Sequence, residues 1–102
     1  MILPDMPASI FEGEAEVALV IGRRACNVSE AAAMNYVFGY MKFIGGSALG
    51  VPAFYQTKGG ETFAPIGPYL VTADEIDKPQ ALQVRLWSNG VLRQDFSTDD
   101  MA

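Results

Sequence analysis

Glu12-Gly13-Glu14-Ala15-Glu16-Val17-Ala18-Leu19-Val20-Ile21-Gly22 is the stretch whose reading decides the fold. Its period-two alternation predicts a β-strand with Glu12, Glu14 and Glu16 on one face and Gly13, Ala15, Val17, Leu19 and Ile21 on the other. Same-face neighbours on a strand lie about 6.5–7 Å apart, and like charges at that spacing repel unless a cation, a basic side chain or a proton intervenes. Two answers to that repulsion stay open. In one, Glu14 and Glu16 converge on a divalent cation and leave positions free for a chelating substrate. In the other, the face is solvated and pairs with Arg23, Arg24, Lys42 or Lys58.

A chain of 102 residues, half of them apolar, makes one globular domain rather than a disordered segment. Apolar runs fall well short of the ~20 residues a membrane helix needs, and the N-terminus lacks a signal-peptide pattern. The expectation is a cytoplasmic protein with no membrane partner. Seven Lys/Arg against twelve Asp/Glu give a net charge of −5, and no basic cluster exceeds Arg23-Arg24, which argues against nucleic acid. Cys26 is the only cysteine and no histidine is present, so an intrachain disulfide, a catalytic triad built on histidine and a His-ligated metal are excluded. A lone cysteine of this kind is expected to be a buried, reduced thiol.

Outward from the acidic strand, Pro4 and Pro7 suggest an extended lead-in, and Gly22 to Val28 a polar connection. Ser29 is a good N-cap for a short helix over Ala31 to Phe38 that stops at Gly39. Tyr40 to Ile44 reads as a second strand, followed by a flexible Gly-rich loop from Gly45 to Gly60 with no Walker or dinucleotide fingerprint. Lys58, Glu61 and Thr62 form a polar trio before Phe63-Ala64-Pro65-Ile66-Gly67-Pro68 and a strand over Tyr69 to Val71. Thr72-Ala73-Asp74-Glu75 fits a capping box. Leu82 to Trp87 and Val91 to Phe96 are strands joined at Asn89-Gly90, a strong hairpin signal. A cap-like Ser97-Thr98-Asp99-Asp100 comes just before the last two residues, which suggests a piece of something longer.

These residues together resemble the fumarylacetoacetate hydrolase family, and specifically the central part of its catalytic β-roll domain. The likeness is carried by Glu14 to Ala25, Asn27 to Ala31, Gly39-Tyr40, Lys58 through Ile76 and Trp87 to Gln94, nearly the whole chain. The resemblance implies an α+β, mainly β fold: a partial mixed β-roll with one or two short helices, formed by residues 1–102 as a single partial domain and assembling as a homodimer. It also implies Mg²⁺ or Mn²⁺ as cofactor and a small 2-oxo acid or acylpyruvate as partner. Reactions of the family are hydrolysis of a carbon–carbon bond, isomerisation or decarboxylation. Carried over by position, Glu14 and Glu16 resemble the two glutamate metal ligands, and Lys58 and Thr62 resemble the lysine and threonine of the catalytic site.

Two departures weaken that implication. The family's aspartate ligand falls on Gly45 and its substrate-contacting arginine on Leu49, while the upstream His/Glu base and a downstream Gly-Thr segment lie outside this sequence. Three readings follow: a degenerate, non-catalytic module that binds small molecules or assembles; a residual metal-dependent enzyme in which Glu61 replaces the missing ligand; and a structural partner of a longer relative. Loss of one anionic ligand out of three weighs against the second, because hard-cation sites depend on ligand charge.

Overall fold

The computed structural model describes residues 1–100, and its first strand is the acidic stretch. Strand β1 spans Ile10–Ile21 and pairs antiparallel with β2, Val37–Leu49, from Ile10↔Leu49 to Ile21↔Val37. Between them lies a short helix α1, Glu30–Ala33, tightened to a 3-10 turn over Met34–Tyr36. After β2 come α2, Phe54–Lys58, then β3, Ile66–Thr72, which pairs antiparallel with β2. The hairpin of β4, Gln83–Ser88, and β5, Val91–Ser97, forms a second sheet. The fold is α+β and mainly β. Every strand pairing among the described residues is antiparallel.

The period-two reading of β1 carries over to packing. Glu12, Glu14 and Glu16 are exposed, whereas Ala15 on the other face is buried. On that second face the hairpin is tied down where the Gln94 Oε1 accepts the Ala15 N–H at 2.7 Å. A cleft of about 610 Å³ remains between the two sheets, lined by residues that include Val17, Tyr40, Val71, Leu82 and Val84. The tight part of the core lies at the other end of the sheet. There Phe63 and Ala48 are fully buried, and the Phe63 ring meets Phe11 edge-on at 6.3 Å.

Several local expectations are corrected. The helix ends at Ala33 and not at Phe38, because Val37 and Phe38 enter β2, where β-branched and aromatic residues fit a pleated surface better. Gly39 is therefore a buried strand residue and not a helix stop. The Gly-rich loop is shorter too: Gly45 to Leu49 continue β2, and Phe54–Lys58 is helical. Cys26 is exposed, since it sits in the irregular connection after β1 where no layer covers it. The capping box over Thr72 to Glu75 gives only a 3-10 turn, with the two side chains 3.5 Å apart and no side-chain cap on the backbone. The Asn89-Gly90 turn forms as read, with positive φ at both residues (51° and 77°), the geometry a tight hairpin needs.

Thr98 anchors the end of the hairpin to the segment before it. It is 1 % exposed; its Oγ1 accepts the Leu82 N–H at 2.9 Å and donates to the Pro79 carbonyl at 2.6 Å. Thr98→Val keeps the shape but leaves a part-buried donor and acceptor without a partner, so it should cost about 1–3 kcal/mol in a urea melt. Thr98→Ser, which keeps the hydroxyl, should retain most of the difference.

Candidate functional site

The site is assembled from three pieces of backbone. Strand β1 presents Glu14 and Glu16 on one face. Strand β2 places Gly45 directly opposite Glu14 and Phe43 opposite Glu16. Helix α2 packs back on β2 and delivers Lys58 from its last turn. Lys58 Nζ donates to Glu14 Oε2 at 2.7 Å, an ion pair between half-exposed side chains. The carboxylate bond to Glu14 is the main reason the Lys58 ammonium is held above the ordinary lysine range. The fields of Glu14, Glu16 and Glu12 add to it, and partial burial opposes it. A raised lysine keeps its full contribution below the unfolded-state value and loses it only as pH rises through the folded-state value, so the pair is intact at neutral pH. Being exposed, it contributes little to stability.

The other basic residues do not answer the acidic face. Arg23 stacks on the Tyr36 ring, 4.4 Å from its centroid. Lys42 is the cross-strand partner of Val17 and so lies on the opposite face of the sheet. Among the described residues, Lys58 alone forms an ion pair with the glutamates of β1.

Gly45 is where the geometry is most informative. A Cβ built on it would meet Glu16 Oε1, with the Glu16 Cδ at 3.1 Å and Lys58 Nζ at 3.5 Å. Position 45 thus points into the cluster, and the Glu16 carboxylate lies over the bare backbone. Glu61 does not join: among the described residues no three His, Cys, Asp or Glu side chains are grouped as a metal site. Leu49 lies at the far end of β2, opposite Ile10. Two carboxylates, one of them already engaged by an ammonium, do not make the ligand set a hard divalent cation needs from protein alone.

Thr62 is placed differently from the trio. Its Oγ1 accepts the Ile2 N–H at 2.6 Å and donates to the Ile2 carbonyl at 3.1 Å, clamping the N-terminal segment. Its hydroxyl is therefore already used, and a ligand reaching it has to displace that clamp. The residues missed by sequence reasoning are Gly46 and Phe63. The Gly46 N–H donates to the Phe63 carbonyl at 2.6 Å and the Ile44 N–H to the Pro65 carbonyl at 3.1 Å. These bonds lay the segment after Thr62 along β2 and set its distance from the glutamates. A glycine pair inside an otherwise alternating strand was the available signal.

Comparison with known proteins agrees with this arrangement. Residues 2–102 match the Fumarylacetoacetate (FAA) hydrolase C-terminal family. The chain is 40 % identical over 88 residues to the maleylpyruvate hydrolase of Aquipseudomonas alcaligenes, covering 86 % of this chain and 31 % of that protein. To the mitochondrial oxaloacetate tautomerase of Xenopus laevis it is 38 % identical, covering 86 % of this chain and 30 % of that one. Among solved structures, the maleylpyruvate hydrolase of Sphingobium sp. SYK-6 in complex with manganese(II) ion and pyruvate superposes with a TM-score of 0.86 at 33 % identity, covering 97 % of this chain and 36 % of that one. The chain thus spans about a third of the length of these relatives. No helix among the described residues is long and apolar enough to cross a membrane. With the family's sequence pattern running through residues 2–102 and the same backbone path in its solved relatives, the chain belongs to the fumarylacetoacetate hydrolase family.

Proposed function

We propose that this chain is a degenerate member of its family, a binding or assembly module whose acidic site is closed by an internal ion pair and does not catalyse on its own. The observation that carries the reading is Gly45: the position aimed at Glu16 and Lys58 has no side chain. The Glu14 carboxylate, meanwhile, is neutralised by Lys58 at 2.7 Å. Removing one anionic ligand and engaging another leaves too little charge to strip water from Mg²⁺ or Mn²⁺. A small 2-oxo acid remains a fitting ligand for the cluster, because its carboxylate can pair with the Lys58 ammonium if Glu14 releases it.

The test is the free Mn²⁺ signal in electron paramagnetic resonance as the chain is added, with and without pyruvate. The signal should stay close to that of buffer in both series, and Glu16→Gln should change it little. Stoichiometric loss of the free signal with the parent chain would sink the proposal.

A second reading is favoured by one observation, the grouping of Glu14, Glu16 and Lys58 at one place in the same sheet as in a relative that holds manganese and pyruvate. In that reading the chain contributes these side chains to a divalent-metal-dependent hydrolase, isomerase or decarboxylase acting on 2-oxo acids or acylpyruvates. Turnover of oxaloacetate or an acylpyruvate by the chain, lost in Lys58→Met, would favour it over the first.

A further inference from the structure

Strand β1 is an edge, and the direction of its backbone groups can be worked out residue by residue. Ala15 donates its N–H to the Gln94 side chain and not to β2. Its cross-strand partner Ile44 and the neighbouring Gly46 send their N–H groups away from β1, to Pro65 and Phe63. Gly22 continues the opposite parity, giving its N–H to the Tyr36 carbonyl on the β2 side. Odd-numbered residues of β1 therefore turn N–H and C=O outward. Gln94 covers the Ala15 N–H, but beyond it the groups of Val17, Leu19 and Ile21 run along an edge that no strand covers among the described residues. Leu19 is 47 % and Ile21 57 % exposed there. Such an edge is a template for pairing with another strand.

We propose that this edge joins two copies of the chain, with Val17–Ile21 pairing antiparallel to the same segment of a second copy about a two-fold axis at Leu19. In that register Leu19 faces Leu19, and Val17 faces Ile21 of the second copy. Each facing pair exchanges both of its outward hydrogen bonds. Charge selects this direction. Continuing the register carries the Glu14 and Glu16 end of each strand toward the Arg23-Arg24 end of the other, whereas a parallel alignment sets glutamate against glutamate. Arg23 is already steered by its stack on Tyr36, and Arg24 is exposed. The pairing buries the two most exposed aliphatic side chains of the apolar half of β1 and leaves the Glu14–Lys58 pair on the sheet face.

Sedimentation equilibrium of the full chain, followed by one directed cross-link, tests this. The parent should show a dimer mass, Arg24→Glu should weaken association about tenfold by turning attraction into repulsion, and high salt should act in the same direction. Leu19→Pro removes an outward N–H without touching the β1–β2 ladder, and it should give a monomer with an unchanged far-ultraviolet circular dichroism spectrum. In case proline disturbs the strand, Leu19→Cys in a Cys26→Ser background provides an independent readout. Facing residues of a hydrogen-bonded pair have Cα atoms about 5.5 Å apart, within disulfide range, so mild oxidation should give a covalent dimer, and Val91→Cys at the hairpin tip should not. A monomeric mass for the parent would overturn the proposal. So would a dimer that neither cross-links through position 19 nor responds to Arg24→Glu.

Discussion

Gly46→Val should lower stability by about 3 kcal/mol, the upper range for forcing volume into a packed site, which for a domain of this size is a fall in melting temperature of roughly 12–24 °C. A Cβ at position 46 would lie 2.8 Å from the Phe63 Cγ and 2.9 Å from the Phe63 Cα. The second contact is with backbone, so a rotamer change cannot relieve it. The Gly46 N–H also holds the Phe63 carbonyl at 2.6 Å, and pushing the two chains apart breaks that bond as well. Phe63 is 2 % exposed and packs on Phe11, so the displacement reaches the best-packed part of the core. Gly13→Ala is the matched control. Its Cβ meets only Ile44 Cγ2 at 3.7 Å and Met1 Cε at 3.9 Å, ordinary van der Waals contact. Since alanine also has less unfolded-chain freedom to lose, that variant should melt at or slightly above the parent temperature. Equal effects of the two substitutions would show that the close approach at Gly46 is not what organises this end of the sheet.

The contrast between these glycines also explains which parts of the fold were legible in the sequence. Strand β1 could be read because one face is charged and the other apolar, so period two stands out over its whole length. The second half of β2 could not, because Gly45-Gly46-Ser47-Ala48 is small on both faces and reads as a loop. Its residues are small for reasons that lie elsewhere in the chain: Phe63 approaches Gly46, and the Glu16 carboxylate lies over Gly45. In the same way, the clamp between Thr62 and Ile2 joins residues sixty positions apart, and nothing local announces it. The hairpin at Asn89-Gly90 was legible because its signal is confined to the turn itself. The candidate site falls between these cases. The demand of Glu14 for a counter-charge was readable from alternation alone, whereas the choice of Lys58 over Arg23, Arg24 and Lys42 depends on where α2 packs and which face each strand residue takes.

Gly45→Asp should tighten Mn²⁺ binding by at least about tenfold, equivalent to ~1.4 kcal/mol. Its Cβ points at the Glu16 carboxylate and at Lys58 Nζ, 3.5 Å away, so an aspartate there adds a third carboxylate to the cluster with no backbone movement. The addition has a cost in the absence of metal. Glu16 has to swing off the position it now covers, and a third negative charge joins Glu14 and Glu16, with Lys58 the one ammonium paired with the group. The variant should therefore melt below the parent in chelator. Added Mn²⁺ should reverse the order, because a ligand that prefers the folded state stabilises it by RT ln(1 + [L]/Kd), a factor that grows as Kd falls. Crossing of the two melting curves with metal concentration is the informative result, since a purely structural effect of the substitution would shift both curves in parallel. Lys58→Met placed on top of Gly45→Asp should tighten binding again, by removing the ammonium that competes for Glu14. If Gly45→Asp leaves Mn²⁺ affinity unchanged while the parent already binds it tightly, then the two glutamates hold the ion with ligands from elsewhere, and the non-catalytic reading of this chain fails with the premise that Gly45 is a vacancy.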